Sequence, residues 1–344
     1  MDVLITGGNG LLGHHLVPAV QERGHVVRVL ALPGEDTSWL EQRGVEVYRG
    51  DVRRSETLVV PIRGCDAVIH LAAMMGVWRP FADYYAVNVT GTENVCRAVL
   101  DEGIGRLVHI SSWTVYGMGP GKVVAEEDPL KPLREPHVLT KAEGDRLVRR
   151  MIAEHGLPAV VVRPGTFIGP GDQLHFGRVA DRLRAGKWIV IGSGDNALPL
   201  VYVSDVVDGL VLGLEHEGAV GQVYNLSNDR PFTQREFLNA IAQEVGAAPP
   251  RLHVPYLALY AGASVDERLV KLIRAKRKPI VTRLGVALFG TDNRHAIDKA
   301  RRELGYEPRV SLREAIGLAA AWYRRESKGM ELESAVDLGA ATGG

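Results

Sequence analysis

Residues 3–13 read Val-Leu-Ile-Thr-Gly-Gly-Asn-Gly-Leu-Leu-Gly, an apolar run that leads directly into a glycine-rich turn. Gly7 permits a sharp turn from strand to helix, Gly10 lets backbone N–H groups approach a pyrophosphate, and Gly13 allows the helix to pack closely. The first turn of such a helix offers unpaired N–H donors and the positive end of its dipole to phosphates. The stretch therefore predicts a dinucleotide site that begins with the first strand.

The order of elements after this turn predicts the fold class. Apolar runs without polar alternation are typical of strands that are covered on both faces. Here they alternate with helical patterns at 11–23, 90–103 and 142–156. Such β-α-β order predicts an α/β protein with a doubly wound parallel Rossmann sheet. The predicted strands are 3–6, 26–32, 45–49, 67–71, 107–111 and 159–163.

A change of pattern after Arg163 predicts a second, smaller lobe. Proline and glycine cluster over 164–171, which is typical of a loop. Strands at 200–203 and 223–226 are expected to return to the main sheet, and a last helix is expected at 312–325. The predicted organisation is a dinucleotide-binding domain over 1–165 with returning strands near 199–228, an interleaved substrate-binding lobe over 166–198 and 229–325, and a flexible tail over 326–344.

Composition excludes several classes of partner. Lys and Arg together number 41, as do Asp and Glu, so the chain lacks the net positive charge that nonspecific nucleic-acid binding requires. Its two cysteines, Cys65 and Cys96, cannot form a disulfide framework. The residues show no pattern typical of a secretory signal, no apolar run of about 18 residues, and no metal-ligand spacing. We therefore expect a cytoplasmic protein that binds a small molecule, with neither a membrane span nor a metal.

Further motifs follow in order along the chain: Gly-Asp-Val at 50–52, His-Leu-Ala-Ala at 70–73, Asn-Val-Thr-Gly-Thr at 88–92, Ser-Ser-Trp-Thr-Val-Tyr-Gly at 111–117, and Arg-Pro-Gly at 163–165. Late segments at 201–206 and 299–308 fit the same series. Over residues 1 to 325 the chain resembles the extended short-chain dehydrogenase/reductases, also called the NAD-dependent epimerase/dehydratase family. It looks most similar to hydroxysteroid-dehydrogenase-like and hopanoid-associated members.

The resemblance implies a set of cofactor-binding residues. Asp51 and Val52 would contact the adenine, and Pro164 with Gly165 would flank the nicotinamide. The choice between NAD and NADP stays open, with a lean to NAD, because the second strand ends in Leu32-Pro33 without an acid or an arginine, and Glu35 and Asp36 fall beyond the proline. The pyrophosphate and ribose would be bound by Gly7, Gly10, Leu11, Leu12, Gly13, Leu71, Ala72, Ala73 and Lys141.

The catalytic positions contain one departure from the family. The family uses a Ser or Thr, a Tyr, and a Lys four residues after the Tyr. Ser112 and Lys141 match, but His137 occupies the tyrosine position. Three hypotheses follow: His137 exchanges the proton, another residue such as Tyr116, Tyr84 or Tyr85 does so, or redox chemistry is lost and a lyase, isomerase, dehydratase or binding function remains. A neighbouring Lys141 cation should lower the pKa of His137 and favour its role as a base.

The substrate is expected to be a secondary alcohol or ketone on a small, mainly apolar or lightly glycosylated molecule. Nucleotide-sugar members place an Arg-Asp pair before the strand at 200–203, and the arginine is missing here. A basic run at 268–278 is either a solvated helix face or a contact for a substrate phosphate or an anionic membrane surface. The resemblance also implies a homodimer formed through the helices at 90–103 and 142–156. Expected pocket residues are Met75, Trp78, Trp113, Thr114 and Phe167, with Met74, Val77 and Phe176 as further candidates.

Overall fold

A computed structural model describes residues 1–76, 78–273 and 279–340, with only the helical backbone of 327–340. Within these residues seven parallel strands form the central sheet in the order β3-β2-β1-β4-β5-β6-β7. The strand order reverses between β1 and β4, which creates the crevice where doubly wound sheets bind ligands. The strands are β1 (Asp2–Thr6), β2 (Val26–Ala31), β3 (Glu46–Arg49), β4 (Ala67–His70), β5 (Arg106–Ile110), β6 (Ala159–Pro164) and β7 (Val223–Leu226).

Helices cover both faces of the sheet, and two-stranded pairs lie outside it. The short strands are Val123–Val124, Thr166–Ile168, Val190–Ile191, Ala197–Leu198, Leu200–Tyr202, Phe232–Thr233, His253–Val254 and Arg294–His295. The described α-helices are α1 (Leu11–Glu22), α2 (Ser38–Glu41), α3 (Val59–Ile62), α4 (Phe81–Tyr85), α5 (Thr92–Asp101), α6 (Pro136–His155), α7 (Arg178–Arg184), α8 (Val203–Glu215), α9 (Gln234–Glu244), α10 (Tyr256–Leu272), α11 (Arg283–Gly290), α12 (Asp298–Leu304) and α13 (Leu312–Ala340).

The central strand β1 explains why the sheet is stable between its helices. Val3 and Ile5 point to the face covered by α1 and α8, and Leu4 points to the face covered by α5 and α6; all three are fully buried. Burying one such side chain contributes about 1.5–3 kcal/mol. The uninterrupted apolar runs thus form strands buried on both faces, and the predicted α/β doubly wound fold is confirmed.

One strand expected in the main sheet lies elsewhere. Residues 223–226 join the sheet as β7, but Leu200–Tyr202 pairs with Thr166–Ile168, so that part of the prediction is wrong. The cause is the continuation of β6 beyond Gly165, where Thr166 N donates to Pro199 O at 2.7 Å. This segment supplies a partner for 200–202 outside the sheet.

Two helices extend further than predicted. Helix α6 begins at Pro136 rather than near Ala142, and α13 continues to Ala340 through most of the expected tail. Residues 341–344 of that tail, Val77, and 274–278 of the basic run lie outside the described residues. Among the helices that the structure describes, none combines the length and apolar content needed to cross a bilayer.

Candidate active site

The turn between β1 and α1 has a geometry that only glycine satisfies at two positions. Gly7 has a φ of +71°, and a Cβ there would lie 2.7 Å from the backbone N of Ala72. A Cβ on Gly13 would lie 2.0 Å from the carbonyl oxygen of Gly8. These distances are too short for any side chain. The turn is therefore packed closely against the residues that follow β4 and against the start of its own helix.

This turn presents the donors that a pyrophosphate requires. Gly10 caps α1 without a side chain, and the N–H groups of Leu11, Leu12 and Gly13 in the first helical turn have no intrahelical acceptor. Next to it, Leu71 N donates to the carbonyl of Thr6 at 3.0 Å, which fixes the start of 71–73 beside the crevice. The cradle and its donor set fit the pyrophosphate of a dinucleotide.

The acidic side chain of Glu35 lies beside the end of β2, although Glu35 comes four residues after Ala31 in the sequence. Gly34 has a φ of +85°, and Glu35 N donates back to Leu32 O at 3.2 Å, so the chain reverses there. The Glu35 carboxylate accepts from Leu32 N at 3.3 Å and lies 3.5 Å from the Asn9 amide. Sequence reasoning missed this position because Pro33 separates it from the strand. The proline-glycine turn was the available signal.

The other residues predicted to bind the cofactor are more enclosed. The Asp51 carboxylate binds the Arg53 guanidinium. This contact holds the pKa of Asp51 below its usual range, although partial burial acts in the opposite direction. Val52 is buried. Pro164 is buried too, and Gly165 donates its N–H to Leu226 O at 2.7 Å; a Cβ there would lie 2.4 Å from Pro199 O. Gly165 thus has a packing role of its own.

The first turn of α6 positions His137. Glu135 is the N-cap and accepts from His137 N at 3.0 Å and Val138 N at 3.3 Å, with Pro136 at the first helical position. The imidazole is buried, and its Nδ1 lies 3.1 Å from the carbonyl oxygen of Met74. A carbonyl only accepts, so Nδ1 carries the proton in this contact. In the neutral ring, Nε2 is therefore an unprotonated acceptor.

Asn88 fixes the carbonyl that His137 binds. Its Oδ1 accepts from Met74 N at 2.8 Å, and its Nδ2 donates to Met74 O at 3.3 Å and to Thr140 Oγ1 at 3.1 Å. The loop after β4 is thereby attached to α6. The sequence motif at 88–92 marked this asparagine, but only the fold shows that it orients the histidine.

The pKa values of His137 and Lys141 differ from those of an exposed histidine and lysine. Burial, and then the Lys141 cation, lower the pKa of His137 to about 4, although the Met74 contact opposes them. Burial lowers the pKa of Lys141 to about 8, with Asp145 opposing. Lys141 Nζ donates to the carbonyl of Ile110 at 2.6 Å, at the end of β5. Near pH 7, His137 is neutral and Lys141 is mostly charged.

Ser112 is the second residue after β5 and lies at the same edge of the sheet. It is only partly buried, and its Oγ lies 2.9 Å from Thr114 Oγ1 and accepts from Thr114 N. The neighbouring Ser111 is buried and donates to the Asp145 carboxylate at 2.6 Å. Ser112, rather than Ser111, is thus available to a ligand.

The tyrosines that were alternative proton carriers occupy different places. Tyr116 is buried, donates to Asn225 Oδ1 at 2.7 Å and accepts from Arg163, and burial raises its pKa to about 12. Tyr84 donates to the carbonyl of Gly76 at 2.9 Å, with its ring centroid 6.0 Å from that of His137. Tyr85 is exposed. Tyr116 belongs to a buried network, and Tyr84 supports the loop on which His137 rests.

The expected pocket residues divide into two groups. Trp78 is partly buried and Met75 is exposed on the loop after β4. Trp113 and Thr114 are buried, and Trp113 donates its ring N–H to Thr166 Oγ1 at 3.0 Å. Phe167 and Phe176 pack in or against the main core. The loop after β4 therefore supplies the accessible aromatic and thioether groups.

This fold and crevice define a dinucleotide-dependent α/β enzyme, and comparisons with known proteins give the family. The NAD dependent epimerase/dehydratase family matches residues 3–227. A 2-alkyl-3-oxoalkanoate reductase of Stenotrophomonas maltophilia is 32% identical, covering 92% of this chain and 97% of its own. An Arabidopsis thaliana 3beta-hydroxysteroid-dehydrogenase/decarboxylase is 31% identical, covering 91% and 77%.

Solved structures agree. The crystal structure of gox2253 is 30% identical with a TM-score of 0.81, covering 94% of this chain and 98% of its own. A Thermus thermophilus UDP-glucose 4-epimerase in complex with NAD is 25% identical with a TM-score of 0.74, covering 94% and 99%. The chain belongs to the NAD dependent epimerase/dehydratase family. The relatives and solved structures named above include oxidoreductases and an epimerase.

Proposed function

We propose that this protein is an NAD-dependent oxidoreductase that oxidises a secondary alcohol of a mainly apolar small molecule. The observation that carries the direction is the contact of His137 Nδ1 with Met74 O, which leaves Nε2 as an acceptor. A pKa of about 4 keeps this nitrogen unprotonated at neutral pH. Relatives named for 3-oxoalkanoates and for hydroxysteroids support an alcohol or ketone carbon as the reacting centre.

Each residue then has a separate task. Ser112 Oγ donates to the substrate oxygen and orients it, His137 Nε2 accepts the hydroxyl proton, and Lys141 binds the ribose next to the nicotinamide. A bound nicotinamide would accept the hydride from the alcohol carbon. The positive charge that forms on His137 is opposed by Lys141, so the proton is readily passed on to solvent. The short imidazole requires the alcohol to lie close to the first turn of α6.

The Glu35 carboxylate supports NAD rather than NADP. An acid at the end of β2 accepts from the ribose 2′-hydroxyl and repels a 2′-phosphate. Glu35 reaches this position by the turn at Gly34. No arginine lies in the turn itself, although Arg49 binds the backbone carbonyl of Glu35 at 2.8 Å.

Two further properties belong to the proposal. A homodimer through α5 and α6 is supported by the exposed pair Phe81 and Tyr85 on the adjoining α4, whose ring centroids are 5.8 Å apart. A cytoplasmic location is supported by the two free thiols, Cys65 and Cys96. Light scattering on the purified protein measures the oligomeric state directly.

The proposal is tested with NAD⁺ and a panel of 3-hydroxy acids and 3β-hydroxysteroids, following reduced nicotinamide. His137→Ala and His137→Asn should each lower kcat by about 10²–10⁴-fold, because a positioned base is lost. His155→Ala, at the exposed end of the same helix, is the matched control and should retain full activity. Undiminished turnover in both His137 variants would exclude the histidine as the base, and product without reduced nicotinamide would indicate non-redox chemistry.

The pH profile gives a second readout. A base must be deprotonated, so kcat/KM for oxidation should rise as the pH increases through about 4 and then stay level until about pH 8, where Lys141 loses its charge. A ketone needs the imidazolium as acid, so reduction should lose about tenfold in rate for each pH unit above that value. A rise of the oxidation rate near pH 6.5 instead would indicate an unperturbed histidine.

A further inference from the structure

A cavity of about 390 Å³ lies beside the start of α6. Its wall includes Glu135 and Pro136, which directly precede His137, and Trp78 from the loop after β4. The opposite side is formed by α10 and the start of α11, including the buried Val270 and Leu284. We call it the basic cavity because Arg79, Arg134, Lys271 and Arg283 line it.

The two acids of the basic cavity already have partners. Glu135 caps α6 by accepting from two backbone N–H groups, and burial raises its pKa above the usual range. Glu267 accepts from the side chain and the backbone N of Arg283, both at 2.8 Å. Four cationic side chains thus face two carboxylates in this described lining, and neither carboxylate is hydrogen-bonded to Arg79, Arg134 or Lys271.

Apart from Arg283, the basic cavity is lined by three cationic side chains, Arg79, Arg134 and Lys271. Within the part of the chain that the structure describes, the Arg79 and Arg134 side chains have no hydrogen bond or ion pair. Lys271 Nζ lies 5.4 Å from the centre of the Trp78 ring, a cation–π contact that keeps its charge at the cavity. Arginine is the side chain best suited to bind a carboxylate through two parallel hydrogen bonds.

We propose that the basic cavity binds a carboxylate carried by the substrate, so that the substrate is a hydroxy acid with an apolar body. This rests on the proposed function of the adjoining His137 and names the substrate class for it. Arg79 and Arg134 bind the carboxylate, Lys271 adds its charge, and Trp78, Val270 and Leu284 contact apolar carbon. The hydroxyl carbon then extends past Pro136 towards His137.

Equilibrium binding of decanoate, measured by calorimetry below its micelle concentration, tests the cavity without any chemistry. Decanoate has no hydroxyl group, so its binding does not depend on the redox step. The Arg79→Ala/Arg134→Ala double variant should bind it about 100-fold more weakly, about tenfold for each charge-assisted contact. Methyl decanoate, which lacks the charge, should bind the wild type weakly and the variant equally.

Matched variants make the result specific. Arg43→Ala/Arg150→Ala removes two exposed arginines that are distant in sequence from the cavity lining, and should leave decanoate binding unchanged. Arg79→Glu/Arg134→Glu should lose decanoate and gain binding of decylamine, an outcome that an unfolded protein cannot produce. Equal affinity for decanoate and its methyl ester, or wild-type affinity in the Arg79→Ala/Arg134→Ala variant, would overturn the proposal.

Turnover separates this inference from the proposed function. With 3-hydroxydecanoate and NAD⁺, Arg79→Ala/Arg134→Ala should raise KM about 100-fold with little change in kcat, whereas methyl 3-hydroxydecanoate should show no such change. Decanoate binding as expected with no turnover of any hydroxy acid would refute the oxidoreductase assignment and support the carboxylate site. Turnover of neutral alcohols only, without decanoate binding, would support the oxidoreductase assignment and refute the carboxylate site.

Discussion

Helices α6 and α10 are of similar length, but α6 buries ten of its twenty residues and α10 only three of its seventeen. Helix α6 packs on the sheet and bears both His137 and Lys141. Helix α10 forms a wall of the basic cavity and exposes Leu257 and Leu272 to 78% and 80%. Packing on the sheet therefore fixes the positions of His137 and Lys141, whereas the residues of α10 that line the basic cavity have room to vary.

The same contrast appears in the ion pairs of the two helices. Asp145 of α6 and Arg163 of β6 are both fully buried and joined by two hydrogen bonds of 2.8 Å. Glu267 of α10 binds Arg283 at 2.8 Å, but the Arg283 side chain is 37% exposed. Removing one partner of a buried pair leaves an uncompensated charge, which is much more costly than at a surface.

The largest expected effect is therefore on the α6 pair. Asp145→Asn should lower the free energy of unfolding by about 3–5 kcal/mol, because Arg163 stays charged and buried. Glu267→Gln, the comparison on α10, should cost less, about 1–2 kcal/mol, because the Arg283 side chain is 37% exposed and is solvated when the pair is lost. Urea unfolding of both variants measures this, and equal losses would remove the distinction between the two helices.

The sign of the pH dependence follows from the same pair. Burial opposes the charge on Asp145, but Arg163 and Ser111 outweigh it and hold its pKa below the usual range. The stabilisation is thus fully present above the pKa of an unfolded aspartate and is lost as the pH falls through the lower folded value. Asp145→Asn should abolish this part of the acid sensitivity.

A smaller effect is expected in the cofactor turn. Gly13→Ala should lower the free energy of unfolding by about 1–3 kcal/mol, since its Cβ would lie 2.0 Å from Gly8 O. Because α1 must shift to accept the methyl group, NAD affinity should fall as well. Calorimetric titration with NAD checks the second effect, and unchanged affinity would show that the turn is adaptable.

The next largest effect is expected on the preference for NAD over NADP. Glu35→Ser should reduce the preference for NAD over NADP by about tenfold, which corresponds to one lost charge-assisted interaction. The measurement is the ratio of kcat/KM for the two cofactors. Asp36→Ser, one residue further along the turn, is the control, and an equal effect of both would show that only general negative charge matters.

The smallest effect has the opposite sign. Gly262 is inside α10, and a Cβ there meets no atom within 4 Å. Gly262→Ala should therefore raise the free energy of unfolding by about 0.5–1 kcal/mol through helix propensity alone. Thermal unfolding of Gly262→Ala and Gly13→Ala, measured side by side, compares the same substitution in α10 and in the cofactor turn. A loss at Gly262 would show that α10 is more tightly packed than its exposure indicates.

Much of the fold could be predicted from short-range patterns. The apolar runs located six strands of the sheet within one or two residues, and the glycine spacing at 7, 10 and 13 located the cofactor turn. The strand at 200–202 was misplaced because its partner is chosen by the path of the chain after Gly165. The early start of α6 was signalled by Glu135-Pro136, an N-cap followed by proline.

By itself, the sequence determined the family, the parallel sheet, the dinucleotide turn and the presence of His137 in place of tyrosine, because all of these depend on local spacing and hydrophobic period. Only the tertiary structure decided which nitrogen of His137 carries the proton, that Glu35 returns to the end of β2, that Tyr116 belongs to a buried network, and that Arg79 and Arg134 line one cavity. These depend on contacts between segments distant in sequence, and on the burial that shifts a pKa, which no local pattern encodes.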